Sequence, residues 1–188
     1  LATPISILLY DIPEVGVPLS FLAPGIIFLG LYQTTAGALQ GLNLAFFPVV
    51  NLMFGLVVKG LLNYYLTAIP GLNIKGSAMA TVTAFFVAFS LNYMVLKLKL
   101  RLRLNLLATM MIPLVATGLM VVATRQVFQA FFTILSNSWA TLLAVIAGII
   151  IYFFSLLMLG GLSEKDLEMF PTIGNKLIII LRKIYILR

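Results

Sequence analysis

The chain contains no cysteine and no histidine. That excludes disulfides, thiol catalysis, the usual zinc sites and every histidine-based acid–base mechanism. Charge is almost as scarce: 9% of the 188 residues are charged, against roughly 25% in a soluble domain. So few charges cannot cover a surface in water. With 62% hydrophobic residues and a mean hydropathy of +1.16, the solvent for most of this chain is lipid. Only five acids occur, Asp11, Glu14, Glu164, Asp166 and Glu168, and none falls inside a long apolar run. No carboxylate is therefore expected at mid-depth to bind sodium or relay a proton, and no nucleotide-binding glycine loop is present. No metal or cofactor is implied, and no catalytic constellation is visible.

What is present is long apolar runs. A transmembrane helix needs ~20 mostly apolar residues, and five segments meet that length, at about 18–40, 48–69, 77–96, 105–124 and 138–159. The expected class is an all-α integral membrane protein, a polytopic helix bundle. Gly41 is the expected stop of the first span, Pro48 suits the first turn of the second, and Ser77 is the expected cap of the third. Pro113 predicts a kink in the fourth, with Thr109 and Thr117 a turn away on either side to satisfy freed backbone groups. Residues 1–10, "LATPISILLY", lack a basic start and an A-x-A site, so they do not have the form of a signal peptide. They read as the end of a hydrophobic helix that begins before Leu1, which makes the chain a C-terminal fragment. Residues 160–188 read as an amphipathic tail on the inner membrane surface. Ser163 and Asp166 there have capping-box spacing, and "NKLIIILRKIYILR" sets basic residues among aliphatics.

The net charge of +7 raises nucleic acid as a partner, but the basic residues sit at the ends of apolar runs, which fits membrane orientation instead. The alternating "LKLKLRLRL" segment also fits a strand; here it reads as a short connection. With that turn in the cytoplasm, Lys97, Lys99, Arg101, Arg103, Lys165, Lys176, Arg182, Lys183 and Arg188 fall inside, and only Lys75 and Arg125 outside. Nine against two predicts a cytoplasmic C-terminus in a multi-pass protein.

One lysine breaks this pattern. Lys59 lies in "NLMFGLVVKGLLNYYL", twelfth in the expected second span and near mid-depth. Its stem reaches roughly 6 Å, while half the hydrocarbon core is ~15 Å, so its amine cannot snorkel to water. A charge there costs ~2.5–3.5 kcal/mol and usually faces a bundle interior or wet cavity. Asn51, Gly55, Lys59 and Asn63 recur every four residues, so they share one helix face. Gln33, Thr34, Gly37 and Gln40 repeat the theme on the preceding span. The third carries Gly76, Ala80, Ala84, Ala88 and Asn92 at the same interval, a small-residue stripe expected to pack closely on a neighbour. The candidate substrate-binding residues are thus Lys59, Asn63, Asn51, Gln33 and Gln40. A structural role for Lys59, held by Asn63 and helix-end carbonyls, and ordinary interhelical contacts for the glutamines are the alternatives.

"LAPGIIFLGLYQTTAGALQGL" and "FPVVNLMFGLVVKGLLNYYLTAIPGLNIKGSAMAT", with the tail "LGGLSEKDLEMFPTIGNKL", resemble the C-terminal half of the stage V sporulation protein B type of polysaccharide transporter. That family groups with the lipid II flippase MurJ and the MATE antiporters in one exporter superfamily (MOP). The elements that carry the likeness are Leu39-Gln40-Gly41, Asn51, Lys59 and Asn63, and the Pro70-Gly71-Leu72 to Gly76-Ser77-Ala78 turn. The resemblance implies a two-lobe transporter of about fourteen spans, of which this chain holds the end of the ninth through the fourteenth, with the N-terminal lobe as partner. It implies a flippase for a lipid-linked sugar pyrophosphate, working by alternating access, with Lys59 at the pyrophosphate and Asn63, Asn51 and Gln33 beside it. The family usually has a glycine and a basic residue soon after Leu-Gln-Gly; here Asn43 and Leu44 follow. A drug antiporter of the same superfamily is the alternative, though its cationic cargo wants a buried carboxylate. A membrane-embedded transferase is another, with only "SEKDLE" to offer acids.

Overall fold

The structure, a computed structural model, describes residues 1–100 and 106–161. The expected amphipathic tail, with Ser163 and Asp166, lies outside the described residues, as do Arg101 and Arg103. Six helices make up the described chain: α1 (Ala2–Tyr10), α2 (Gly16–Gly41), α3 (Phe46–Thr67), α4 (Asn73–Leu100), α5 (Leu106–Phe132) and α6 (Asn137–Met158). A short 3-10 turn at Pro13–Val15 links α1 to α2. No strand occurs among the described residues, and five of the helices, α2 to α6, are long and apolar enough to cross a membrane. The class is all-α, as the composition predicts.

The ends of these helices depart from expectation for local reasons. Gly41 does not stop α2; it is the last helical residue. Asn43 turns the chain at φ 59°, with its amide on the Gln40 carbonyl (3.0 Å) and the Leu44 amide on that of Leu39 (2.9 Å). Those two bonds form a Schellman motif, in which asparagine serves because it tolerates the left-handed region. Ser77 does not cap α4 either. Ile69-Pro70-Gly71-Leu72 closes a tight turn, with Gly71 at φ +93° and the Leu72 amide on the Ile69 carbonyl (3.1 Å). The Leu72 carbonyl then receives the Lys75 amide at 2.7 Å, so α4 starts a full turn before Ser77. At its other end α4 runs on through Lys97 and Lys99, whose charges complement the carbonyl end of the helix. The first part of "LKLKLRLRL" is therefore helix.

α5 continues eight residues past its expected end, so Arg125 lies within a helix and the connection to α6 is only Thr133–Ser136. The Thr117 hydroxyl donates to the Pro113 carbonyl at 2.7 Å. This is an ordinary back-bond, one turn down, and does not relieve the Thr109 carbonyl, the group a proline at 113 leaves without a donor. The Thr109 side chain lies outside the described residues.

The chain divides into two compact units, residues 2–104 and the chain from 105 on. In the first, α4 lies between α2 and α3, packing on both while they touch each other far less. The small-residue stripe makes this possible. Ala80, Ala84, Ala88 and Asn92 are buried, as is Gly76. A Cβ on Gly55 of α3 would come within 2.7 Å of the Ala84 carbonyl oxygen, and one on Gly76 within 2.7 Å of the Leu66 backbone. The two backbones thus approach closely at both of these levels, as membrane helices do where lipid gives no hydrophobic drive. In the second unit α6 turns Ala140, Thr141, Ala144, Gly148 and Ser155 inward toward α5, where Ala116 is buried. A Cβ on Gly148 would lie 2.5 Å from the Thr124 hydroxyl oxygen.

Candidate functional site

The stripe on α3 divides into two parts. Its first half is buried by packing: Asn51 is 7% exposed, and its amide nitrogen donates to the Asn92 side-chain oxygen at 2.8 Å. Asn92, fully buried on α4, directs its own amide nitrogen to the Thr35 hydroxyl of α2 at 3.5 Å, a weaker contact. The Thr35 hydroxyl in turn faces the Leu31 and Tyr32 carbonyls at 2.8 and 3.0 Å. One polar chain therefore ties three helices together inside the bundle. Unpaired amides there would be costly, and the chain pairs the Asn51 donor with the Asn92 acceptor and the Asn92 donor with Thr35. The tyrosine hydroxyl of Tyr32 adds a bond to the Pro48 carbonyl at 3.3 Å.

The second half of the stripe is different. Lys59 and Asn63 are half-buried, at a level between the Gly55–Ala84 and Leu66–Gly76 contacts. Lys59 is fourteenth of the 22 residues of α3, about two and a half residues or ~4 Å past the helix centre. Its amine remains well short of either boundary of a ~30 Å core. It makes no hydrogen bond or ion pair among the described residues. One turn on, the Asn63 side-chain oxygen is buried and without a hydrogen-bond partner, while its backbone carbonyl accepts from the Thr67 hydroxyl at 2.6 Å. The rest of α3 is apolar and exposed, with Met53, Phe54, Leu56, Val57, Leu61, Tyr64 and Tyr65 outward. Such a surface is at home in acyl chains.

Hydropathy and the outward apolar residues together decide the solvent. This is a polytopic membrane protein. It is 27% identical over 187 residues to the uncharacterized membrane protein YabM of Bacillus subtilis (strain 168), a match that covers 96% of this chain and 34% of that protein. The chain thus spans about a third of the length of the curated relative it matches. No family model matches the chain, and no solved structure matches it.

Of the five sequence-predicted site residues, Lys59 and Asn63 stay together on α3. Asn51 lies two turns before Lys59, engaged with Asn92. Gln33 and Gln40 are exposed on α2, on a face that also carries exposed Thr34 and Gly37, while the neighbouring Ala36 and Leu39 are buried, as are Gly16 and Gly25 earlier in that helix. With α4 between α2 and α3, these glutamines and Lys59 are not drawn into one contact. Thr35 was not singled out in the sequence, although the Gln33–Thr34–Thr35 run places it there. The inward stripe of α6 was also missed, and its signal was Ala140, Ala144 and Gly148 at steps of four.

Proposed function

We propose that the full-length protein is a transporter, not an enzyme, that moves a lipid-linked, pyrophosphate-bearing saccharide precursor across a bacterial cell membrane by alternating access. The observation that carries this reading is Lys59: a cation at hydrocarbon depth with no anionic partner among the described residues. A fixed carboxylate beside it would settle its charge permanently. A passing phosphate supplies the counter-charge only while the cargo is bound, and the cost of ~2.5–3.5 kcal/mol for an intramembrane charge becomes binding energy for that cargo. Asn63, one turn on and half-buried with its side-chain oxygen unpaired, is the hydrogen-bonding neighbour in this reading, its amide turning toward the cargo when the cargo binds. Gln33 and Gln40 present amides on the open face of α2. Asn51 acts indirectly, since its bond to Asn92 fixes the rotation of α3 that sets where Lys59 points. The resemblance to stage V sporulation protein B-type transporters supports the cargo class. The partners are the lipid-linked substrate, the surrounding lipids and the remaining spans of the full-length protein.

The test is leaflet-to-leaflet transfer of a labelled lipid-linked saccharide pyrophosphate in vesicles holding the full-length protein. Lys59→Met is expected to lower the rate roughly tenfold or more, the loss of one charge-assisted contact. Lys59→Arg is expected to retain a measurable fraction. Undiminished transport by Lys59→Met sinks the reading.

A further inference from the structure

A cavity of about 290 Å³ opens in the first unit between the start of α2 and the start of α4, beneath the end of α1. Tyr10, Leu19, Leu22, Ser77, Ala78 and Thr81 are among its lining residues. It sits in the first turns of two membrane spans, at the end of α4 away from Lys97 and Lys99. That depth is the boundary between headgroups and acyl chains. Its walls suit an amphiphile. The Thr81 hydroxyl is already bonded to the Ser77 carbonyl at 3.0 Å, whereas the Ser77 and Tyr10 hydroxyls make no hydrogen bond among the described residues. Asp11, Glu14 and Lys75 are each next in sequence to a lining residue, so both signs of charge occur near its mouth along the chain. Lys75 makes no ion pair among the described residues.

We infer that this cavity is a lipid site, holding one acyl chain of a zwitterionic glycerophospholipid. The chain lies against Leu19, Leu22 and Ala78. Its ester carbonyl accepts from Ser77 or Tyr10. The phosphate meets Lys75 and the headgroup ammonium meets Asp11 and Glu14. An anionic lipid would satisfy Lys75 but leave two carboxylates facing a like charge. A volume near 300 Å³ is at the small end of ligand pockets and suits part of one chain, not a whole lipid. This inference rests on the membrane placement of α2 and α4 and not on the nature of the cargo.

The experiment uses full-length protein in bilayers containing phosphatidylethanolamine with a photoactivatable acyl chain, crosslinked peptides being mapped by mass spectrometry. Labelling is expected to concentrate on residues 10–22 and 74–81. Leu22→Trp, which fills the cavity, is expected to lower it about tenfold, and Leu61→Trp, on the outward face of α3, to leave it unchanged. Thr81→Phe fills the opposite wall and serves where Leu22→Trp does not fold. Unlabelled phosphatidylethanolamine should compete better than phosphatidylglycerol. Crosslinks spread evenly over the outward helix faces, or insensitive to both filling variants, overturn the site; equal competition by the anionic lipid overturns the headgroup assignment. Transport by Lys59→Met is read separately, so either proposal can fail alone.

Discussion

At the scale of single residues, the polar groups inside the first unit fall into two kinds. Asn51 and Asn92 satisfy each other across α3 and α4; Lys59 and the Asn63 oxygen have no such partner. The first kind ties helices together and the second does not. A double-mutant cycle separates them. Asn51→Leu and Asn92→Leu should each destabilise the full-length protein by about 1–2 kcal/mol in detergent unfolding, because each strands a buried amide. The double variant should cost less than the sum, with a coupling of about 0.6–1.7 kcal/mol, the range for hydrogen bonds between membrane helices. Lys59→Leu, by contrast, should leave stability unchanged or raised, since it removes a charge from hydrocarbon. Coupling near zero would mean the Asn51–Asn92 bond does not hold the helices.

At the scale of the helix, what the sequence revealed depended on contrast. The α4 stripe was legible because glycine and alanine every fourth residue stand out in a run of Phe, Val and Leu, and the structure buries that face. The buried face of α2 was not, because Ala36 and Leu39 look no different from the lipid-facing Ile26 and Ile27. In a membrane both sides of a helix want apolar residues, so hydrophobic periodicity loses its meaning and only polar or small residues report direction. The same limit hid the place of α4: the faces of the glutamines and of Lys59 could be read, but not the helix that lies between α2 and α3. Helix ends failed for another reason. Gly41 was the obvious stop, yet the left-handed position is Asn43, two residues on, while at the end of α6 it is Gly160, at φ +69°, with the Gly161 amide on the Leu156 carbonyl at 2.8 Å. Gly160→Ala should therefore cost about 1 kcal/mol of stability, and Gly41→Ala, in helical backbone with open space around its Cβ, nothing or a slight gain. Equal effects in thermal unfolding would contradict these cap assignments.

At the scale of the whole molecule, the question is which end faces the cytoplasm, and the lengthened α5 bears on it. Its 27 residues span ~40 Å, beyond a ~30 Å core, so an upright, centred helix would protrude by about 5 Å at each end. Arg125, seven residues before Phe132, then lies ~5 Å inside the boundary, close enough for its guanidinium to reach the headgroups. It still counts as a charge on the side where α5 ends, together with Lys75, against Lys97 and Lys99 where α4 ends. With each apolar helix taken as one crossing, the basic residues of the connection and tail are counted with the latter side from the sequence, and that excess predicts that it is cytoplasmic. These 188 residues hold no cysteine, so a single one can be introduced without a competing thiol among them. Single cysteines at Ile69 and Ile134, in exposed turns after α3 and α5, should react with a membrane-impermeant maleimide in intact cells. Cysteines at Leu44 and Leu159, after α2 and α6, should react only once the membrane is opened. The reverse pattern would invert the orientation and place Lys75, near the mouth of the cavity, in the cytoplasm. Reactivity of Ile69 and Leu44 from one side would mean that α3 does not cross, and a lysine near its centre would no longer lie at hydrocarbon depth.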